Sequence, residues 1–124
     1  MAFIRYMVSD VVQAVDFYCG KLDFKLEDQW GPAFAIVSRD NFKLWLSGPE
    51  TSAARPMPDG RHPQPGGWNR IVIIAENLDS MIEKLKNGDI KFRSEIVTGP
   101  GGRHILIDDP SGNPLEIFER IKKE

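Results

Sequence analysis

The sequence predicts an α+β fold built from two βαβββ modules, with curved mixed sheets closing around a cup-shaped cavity. Three observations point there. The same order of strand and helix signals occurs twice, once in each half of the chain. A long segment rich in proline and glycine separates the halves. The length of 124 residues, with 41% hydrophobic and 27% charged side chains, suits a single globular domain with one real core and excludes wholesale disorder.

The first half opens with Ala2 to Val8, which alternates as a strand with Phe3, Arg5 and Met7 on one face and Ile4, Tyr6 and Val8 on the other. Ser9 and Asp10 offer helix N-cap side chains. Val11, Val12, Ala14, Val15 and Tyr18 follow at helical spacing, and Gly20 marks the stop. A strand is expected around Phe24 to Glu27, a turn at Trp30-Gly31-Pro32, and a strand from Ala33 to Val37. A tight turn at Arg39-Asp40-Asn41 leads to a strand from Phe42 to Leu46.

The second half repeats the pattern. Arg70 to Ala75 reads as a strand, with Arg70, Val72 and Ile74 on one face. Asn77 is the expected N-cap, in the position that Asp10 holds in the first half. Leu78, Met81, Ile82 and Leu85 have helical spacing, and Asn87-Gly88 ends the helix. Ile90 to Ile96 reads as a strand, Gly99-Pro100-Gly101-Gly102 as a loop, His104 to Asp108 as a strand, Asp109 to Asn113 as a turn and Leu115 to Glu119 as the last strand. One sheet face of each half is covered by its helix and the other is bare, so two halves can close on each other and leave a concavity. The segment from Ser47 to Asn69 reads as a linker between modules, a lid, or a spacer without a role. The boundaries are module 1 at about 1–47, linker or lid at 48–68 and module 2 at about 69–124.

Charge and composition exclude several roles. With 16 basic and 18 acidic residues the formal net charge is -2, which gives no grip on a phosphate backbone and argues against nucleic acid. No apolar run approaches the roughly 20 residues that span a membrane, and the first residues lack a signal-peptide pattern. A lone cysteine, Cys19, makes no internal disulfide and fits a reducing compartment, so a cytoplasmic location is expected. Cys19 has no histidine nearby in sequence, which makes it a weak nucleophile candidate.

The paired modules resemble the vicinal oxygen chelate superfamily, which includes glyoxalase I, bleomycin-resistance and fosfomycin-resistance proteins and extradiol dioxygenases. Three stretches carry the likeness: Val8-Ser9-Asp10 leading to Asp16-Phe17-Tyr18, then Asn77-Leu78-Asp79, and most specifically Asp109-Pro110-Ser111-Gly112-Asn113-Pro114-Leu115-Glu116. The stretch through Gly66-Gly67-Trp68-Asn69-Arg70 is similar to an uncharacterised subgroup. The resemblance implies a homodimer and, in metal-dependent members, a divalent ion such as zinc, nickel, iron or manganese. That ion is held by one side chain from the first and one from the last strand of each module. Here those positions are Phe3, Arg70, Glu116 and either Leu44 or Trp45. Phe3 and Leu44 have no suitable lone pair, and Arg70 is permanently cationic, so only Glu116 survives as a ligand. No cofactor is therefore expected.

Hairpin arithmetic sets Leu106 near Glu116 and His104 near Phe118, all on one face. By the resemblance, that face lines the cavity together with Phe3, Arg5, Met7, Arg70 and Val72. Arg70 is either a structural partner of Glu116, a ligand anchor, or both. The candidate ligand-binding residues are Arg70, Arg5, Phe3, Trp30, Trp68, Asn69 and Phe118. The candidate catalytic residues are His104, as acid or base, and Glu116, as a base if buried. The rings of Trp30 and Trp68 suit a planar ligand or else pack structurally. The glycines from 99 to 102 suit an anion nest or a plain loop. Two functions follow. One is metal-independent binding of a small anionic or carbonyl-containing molecule, similar to bleomycin-resistance proteins. The other is an isomerase, lyase or dioxygenase acting on a small oxygenated substrate.

Overall fold

The computed structural model describes residues 1–121 and is α+β. The chain divides into two compact units. The first holds Met1–Gly66 with Pro110–Asn113, and the second holds Gly67–Asp109 with the chain from Pro114 onward. The segment after residue 47 groups with the first unit as far as Gly66, and so does the tip of the last hairpin.

In the first unit, β1 (Ile4–Met7), α1 (Val11–Lys21), β2 (Lys25–Trp30), β3 (Phe34–Arg39) and β4 (Phe42–Ser47) form an open four-stranded sheet in the order β1-β4-β3-β2. The β1–β4 pair is parallel and the others antiparallel. Asp10 caps α1, its carboxylate accepting from the Gln13 amide at 3.0 Å. Gly20 lies inside the helix, and the stop comes later, at Asp23 with φ +60°, a conformation that Asp tolerates better than most residues. Leu44, Leu46, Ala35 and Val37 are fully buried on the face that α1 covers with Val11, Ala14 and Tyr18. Alternation turns Arg5, Trp45, Phe34 and Ile36 to the opposite face.

The second unit repeats this plan with one change. β5 (Ile71–Ile74), α2 (Leu78–Lys86), β6 (Lys91–Phe92), β7 (Val97–Gly99), β8 (Gly102–Asp108) and β9 (Pro114–Arg120) make an open five-stranded sheet in the order β5-β9-β8-β6, with β7 also paired to β8. Asn77 caps α2 through the Ser80 amide at 3.0 Å, and Asp89, with φ +59°, mirrors Asp23. Ile105, Ile107, Leu115 and Ile117 form the buried face beneath Leu78, Ile82 and Leu85 of α2.

The single strand expected from Ile90 to Ile96 is instead broken. The amides of Arg93 and Ser94 both donate to the Leu106 carbonyl, at 2.8 and 3.4 Å, while the Ser94 hydroxyl accepts from the Leu106 amide at 3.0 Å. Two residues against one is a bulge, and it ends β6. The expected loop at Gly99 to Gly102 shrinks to Pro100 and Gly101, because Gly99 and Gly102 pair as the ends of β7 and β8.

The segment after β4 has structure of its own. A short 3-10 turn runs over Ser52–Ala54, and Thr51 Oγ1 donates to the Gly48 carbonyl at 2.8 Å. Asn113 ties together distant parts of the first unit. Its Nδ2 donates to the Met7 carbonyl at 2.7 Å, and its Oδ1 accepts from the Gly66 amide at 2.8 Å. Because Asn113 is only 4% exposed, Asn113→Ala leaves both backbone groups short of a partner and should lower stability by about 2–3 kcal/mol. Urea denaturation measures this, and a loss below about 0.5 kcal/mol would show that water replaces both bonds. Among the described residues, no helix is long and apolar enough to cross a membrane.

Candidate functional site

Arg70 stands one residue before β5, beside β9, and reaches Glu116. Its Nε and Nη2 donate to the same carboxylate oxygen, Oε1, at 2.9 and 2.8 Å, and Nη1 makes a long bond to the Trp68 carbonyl at 3.4 Å. The guanidinium has five N–H groups, so these contacts leave two of them unengaged. The Arg70 side chain is 28% exposed and that of Glu116 10%, so the pair is partly desolvated with one side open to water. Around it the face opposite α2 is mainly apolar. Val72 pairs with Glu116 and Ile74 with Phe118, and both are exposed.

The register of the last hairpin is the one expected, with Leu106 opposite Glu116 and His104 opposite Phe118. The imidazole of His104 lies nearly parallel to the Phe118 ring, with centroids 6.3 Å apart. Trp68 is exposed, and its ring carries the Arg93 guanidinium at 4.8 Å. Arg93 in turn donates to Asp108 at 2.8 Å and to the Gly67 carbonyl at 2.7 Å. Sequence reasoning missed this clamp, because Arg93 is one of several charged residues between Ile90 and Ile96 and the spacing does not single it out. Asn69 is exposed between Trp68 and Arg70. Trp68, Arg93 and Asp108, with Gly67, Lys91 and Phe92, line a shallow depression of about 460 Å³, and His104, Phe118 and Asn69 are not part of its lining.

The remaining candidates lie in the first unit. Phe3 stacks on Trp45, with centroids 5.2 Å apart and planes 21° from parallel. The Arg5 guanidinium lies 5.1 Å from the centre of the Trp45 ring, and Nη1 donates to Ser47 Oγ at 3.3 Å. Trp30 is exposed and meets Phe34 at 5.3 Å. The strand register also chooses between Leu44 and Trp45. Glu116 pairs with Val72 two positions after Arg70, and Trp45 pairs with Arg5 two positions after Phe3, so Trp45 is the counterpart of Glu116.

Each module thus fills the two places in question with its own side chains, an ion pair in the second and a ring stack in the first. This donor set does not suit a divalent ion. The Glu116 oxygen is engaged by a cation, and among the described residues no three His, Cys, Asp or Glu side chains come together as a metal site. Cys19 is half-buried, and burial, reinforced by Asp16, raises its thiol pKa, which disfavours the reactive thiolate.

Residues 1–117 match the family model described as Glyoxalase/Bleomycin resistance protein/Dioxygenase superfamily, and the chain belongs to that superfamily. Among solved structures it is similar to a superfamily member from Sphaerobacter thermophilus, at 26% identity, covering 97% of this chain and 98% of that one with a TM-score of 0.72. It is also similar in fold to a lactoylglutathione lyase from Agrobacterium tumefaciens, at 18% identity, 95% and 92% coverage and a TM-score of 0.72. An antibiotic binding protein from a Streptomyces strain shares the fold at 21% identity, 98% and 97% coverage and a TM-score of 0.69. No curated protein matches the sequence.

Proposed function

We propose that this protein binds a small anionic or carbonyl-containing molecule without a metal ion. The observation that carries the reading is Arg70, whose guanidinium takes the place of a ligand, pairs with Glu116 and keeps two N–H donors for an oxygen atom. A fixed positive charge at that place repels a divalent ion and attracts an oxyanion, so one substitution changes both preferences. The neighbouring side chains of Val72, Ile74 and Phe118 offer apolar surface beside such a contact. One solved structure that shares the fold is an antibiotic binding protein, which supports the reading. A homodimer in the reducing cytoplasm belongs to the same proposal.

The test is elemental analysis of purified protein together with thermal unfolding in the presence and absence of a chelator. The expected result is less than about 0.1 equivalent of zinc, nickel, iron or manganese and an unchanged Tm, since a bound ion would shift Tm by mass action. About one equivalent of metal per chain overturns the reading. Steady turnover of a small oxygenated substrate, lost in both His104→Ala and Glu116→Gln, would replace it with the enzyme reading.

A further inference from the structure

The open face of the first sheet carries a row of rings: Trp30 against Phe34 at 5.3 Å, Phe34 against Trp45 at 5.6 Å, and Trp45 against Phe3 at 5.2 Å. The row is not flat. Phe34 stands perpendicular to Trp45, at 90°, so the two make a corner with a ring face on one wall and a ring edge on the other. A ring face is electron-rich and a ring edge electron-poor, so such a corner is complementary to another flat ring in both stacked and edge-on contact. Phe3 already lies against Trp45 in this manner. At the two ends of the row, Trp30 and Phe3 are 52% and 43% exposed, which leaves much aromatic surface in water.

Charges on this face include Asp28, opposite Ile36 at the β2 edge, and Arg5 at the β1 edge. Arg5 lies over Trp45 and donates to Ser47, and among the described residues it has no carboxylate partner. Arg70, Arg93 and Arg103, by contrast, are all ion-paired. The Trp45 indole N–H is buried and has no acceptor among the described residues. Few buried donors in a native protein go unpaired. An aromatic corner and a guanidinium without a carboxylate partner on one sheet face share one complement.

We propose that this face of the first sheet binds a planar aromatic carboxylate, with its ring in the Phe34–Trp45 corner and its carboxylate on Arg5. The inference concerns a second site, on the first sheet rather than at Arg70, and it rests on the function proposed above only for the absence of metal. A guanidinium held over an indole and bonded to Ser47 is already oriented, so little freedom is lost when it takes up a planar anion.

The experiment uses 2-naphthoate as probe, with cyclohexanecarboxylate and 2-naphthamide as controls, read by tryptophan fluorescence quenching and calorimetry. Saturable binding of 2-naphthoate is expected, at least tenfold tighter than either control. Arg5→Gln should weaken it at least tenfold, Arg5→Lys should restore part of the loss, and Trp30→Ala should weaken it severalfold. Circular dichroism confirms that each variant is folded, and Trp30 and Arg5 are exposed enough for this to be expected. No binding to the native protein, equal binding of cyclohexanecarboxylate, or indifference to Arg5→Gln overturns the inference and leaves metal-independent binding standing. Binding of 2-naphthoate that appears only after a divalent metal is added overturns the metal-independent reading instead.

Discussion

Replacing Arg70 with methionine should cost about 2–3 kcal/mol of stability, because it strands the Glu116 carboxylate in a place only 10% exposed. Removing one partner of a fully buried pair costs about 3–5 kcal/mol. The lower figure applies here because the Arg70 side chain is 28% exposed, so water reaches part of the vacated space. The double variant Arg70→Met with Glu116→Leu should recover most of the loss, since paired removal of an ion pair is often neutral. Urea denaturation of the native protein, both single variants and the double variant closes the cycle, with an expected coupling of about 2 kcal/mol. Additive losses would mean that the two groups stabilise the fold independently. The same single variant should weaken binding of an anionic ligand by about 2 kcal/mol or more, as loss of a charged contact does. Unchanged affinity in a folded Arg70→Met protein would remove Arg70 from the recognition surface.

Gly102→Ala should be comparably damaging for a different reason. Gly102 has φ +149°, and a Cβ built on it runs into the Glu119 carbonyl oxygen on β9. Backbone stands on both sides of that clash, so no side chain can turn away to relieve it. Glu119 itself fixes the start of α2, where its Oε2 accepts from the Leu78 amide at 2.7 Å and its Oε1 from Arg103 at 2.9 Å. Those bonds hold the Arg103 guanidinium firmly protonated, with Asp79 adding a second carboxylate at 2.8 Å. Displacing β9 therefore disturbs the helix as well as the sheet. A loss of at least about 3 kcal/mol is expected, which for a domain of this size lowers Tm by about 10 °C. Gly101→Ala is the control, because its Cβ meets nothing nearer than the Phe118 ring at 3.9 Å. Equal melting temperatures for the two variants would show that β8 can shift to accept the methyl group.

Local patterns made most of the architecture legible. Asp10 and Asn77 announce two helices at equivalent places, and the Asp109 to Asn113 turn fixes the hairpin register that pairs Glu116 with Leu106. Alternation failed between Ile90 and Ile96, where the Ser94 hydroxyl takes a ladder bond that the backbone would otherwise make. A hydroxyl competing with a carbonyl leaves no trace in the spacing of apolar residues. The partnership of Arg70 with Glu116 was open to reasoning because both sit at positions where a buried charge needs a partner. The Arg93–Trp68 contact and the Arg5–Trp45 contact were not, because each depends on how a side chain bends after the backbone is in place. The choice between Leu44 and Trp45 needed the parallel register of β1 on β4, which joins residues 40 apart and is set by long-range pairing alone.

The Asn113 tie has a consequence for synthesis. The Met7 carbonyl and the Gly66 amide wait for a side chain made almost fifty residues after the later of them. A nascent chain released from the ribosome only as far as Gly66 lacks one of the struts of its own first sheet. Folding during translation should therefore stall in a partly formed state until residue 113 emerges, and a fragment stopping at Gly66 should be a poorer folder than its apolar content suggests.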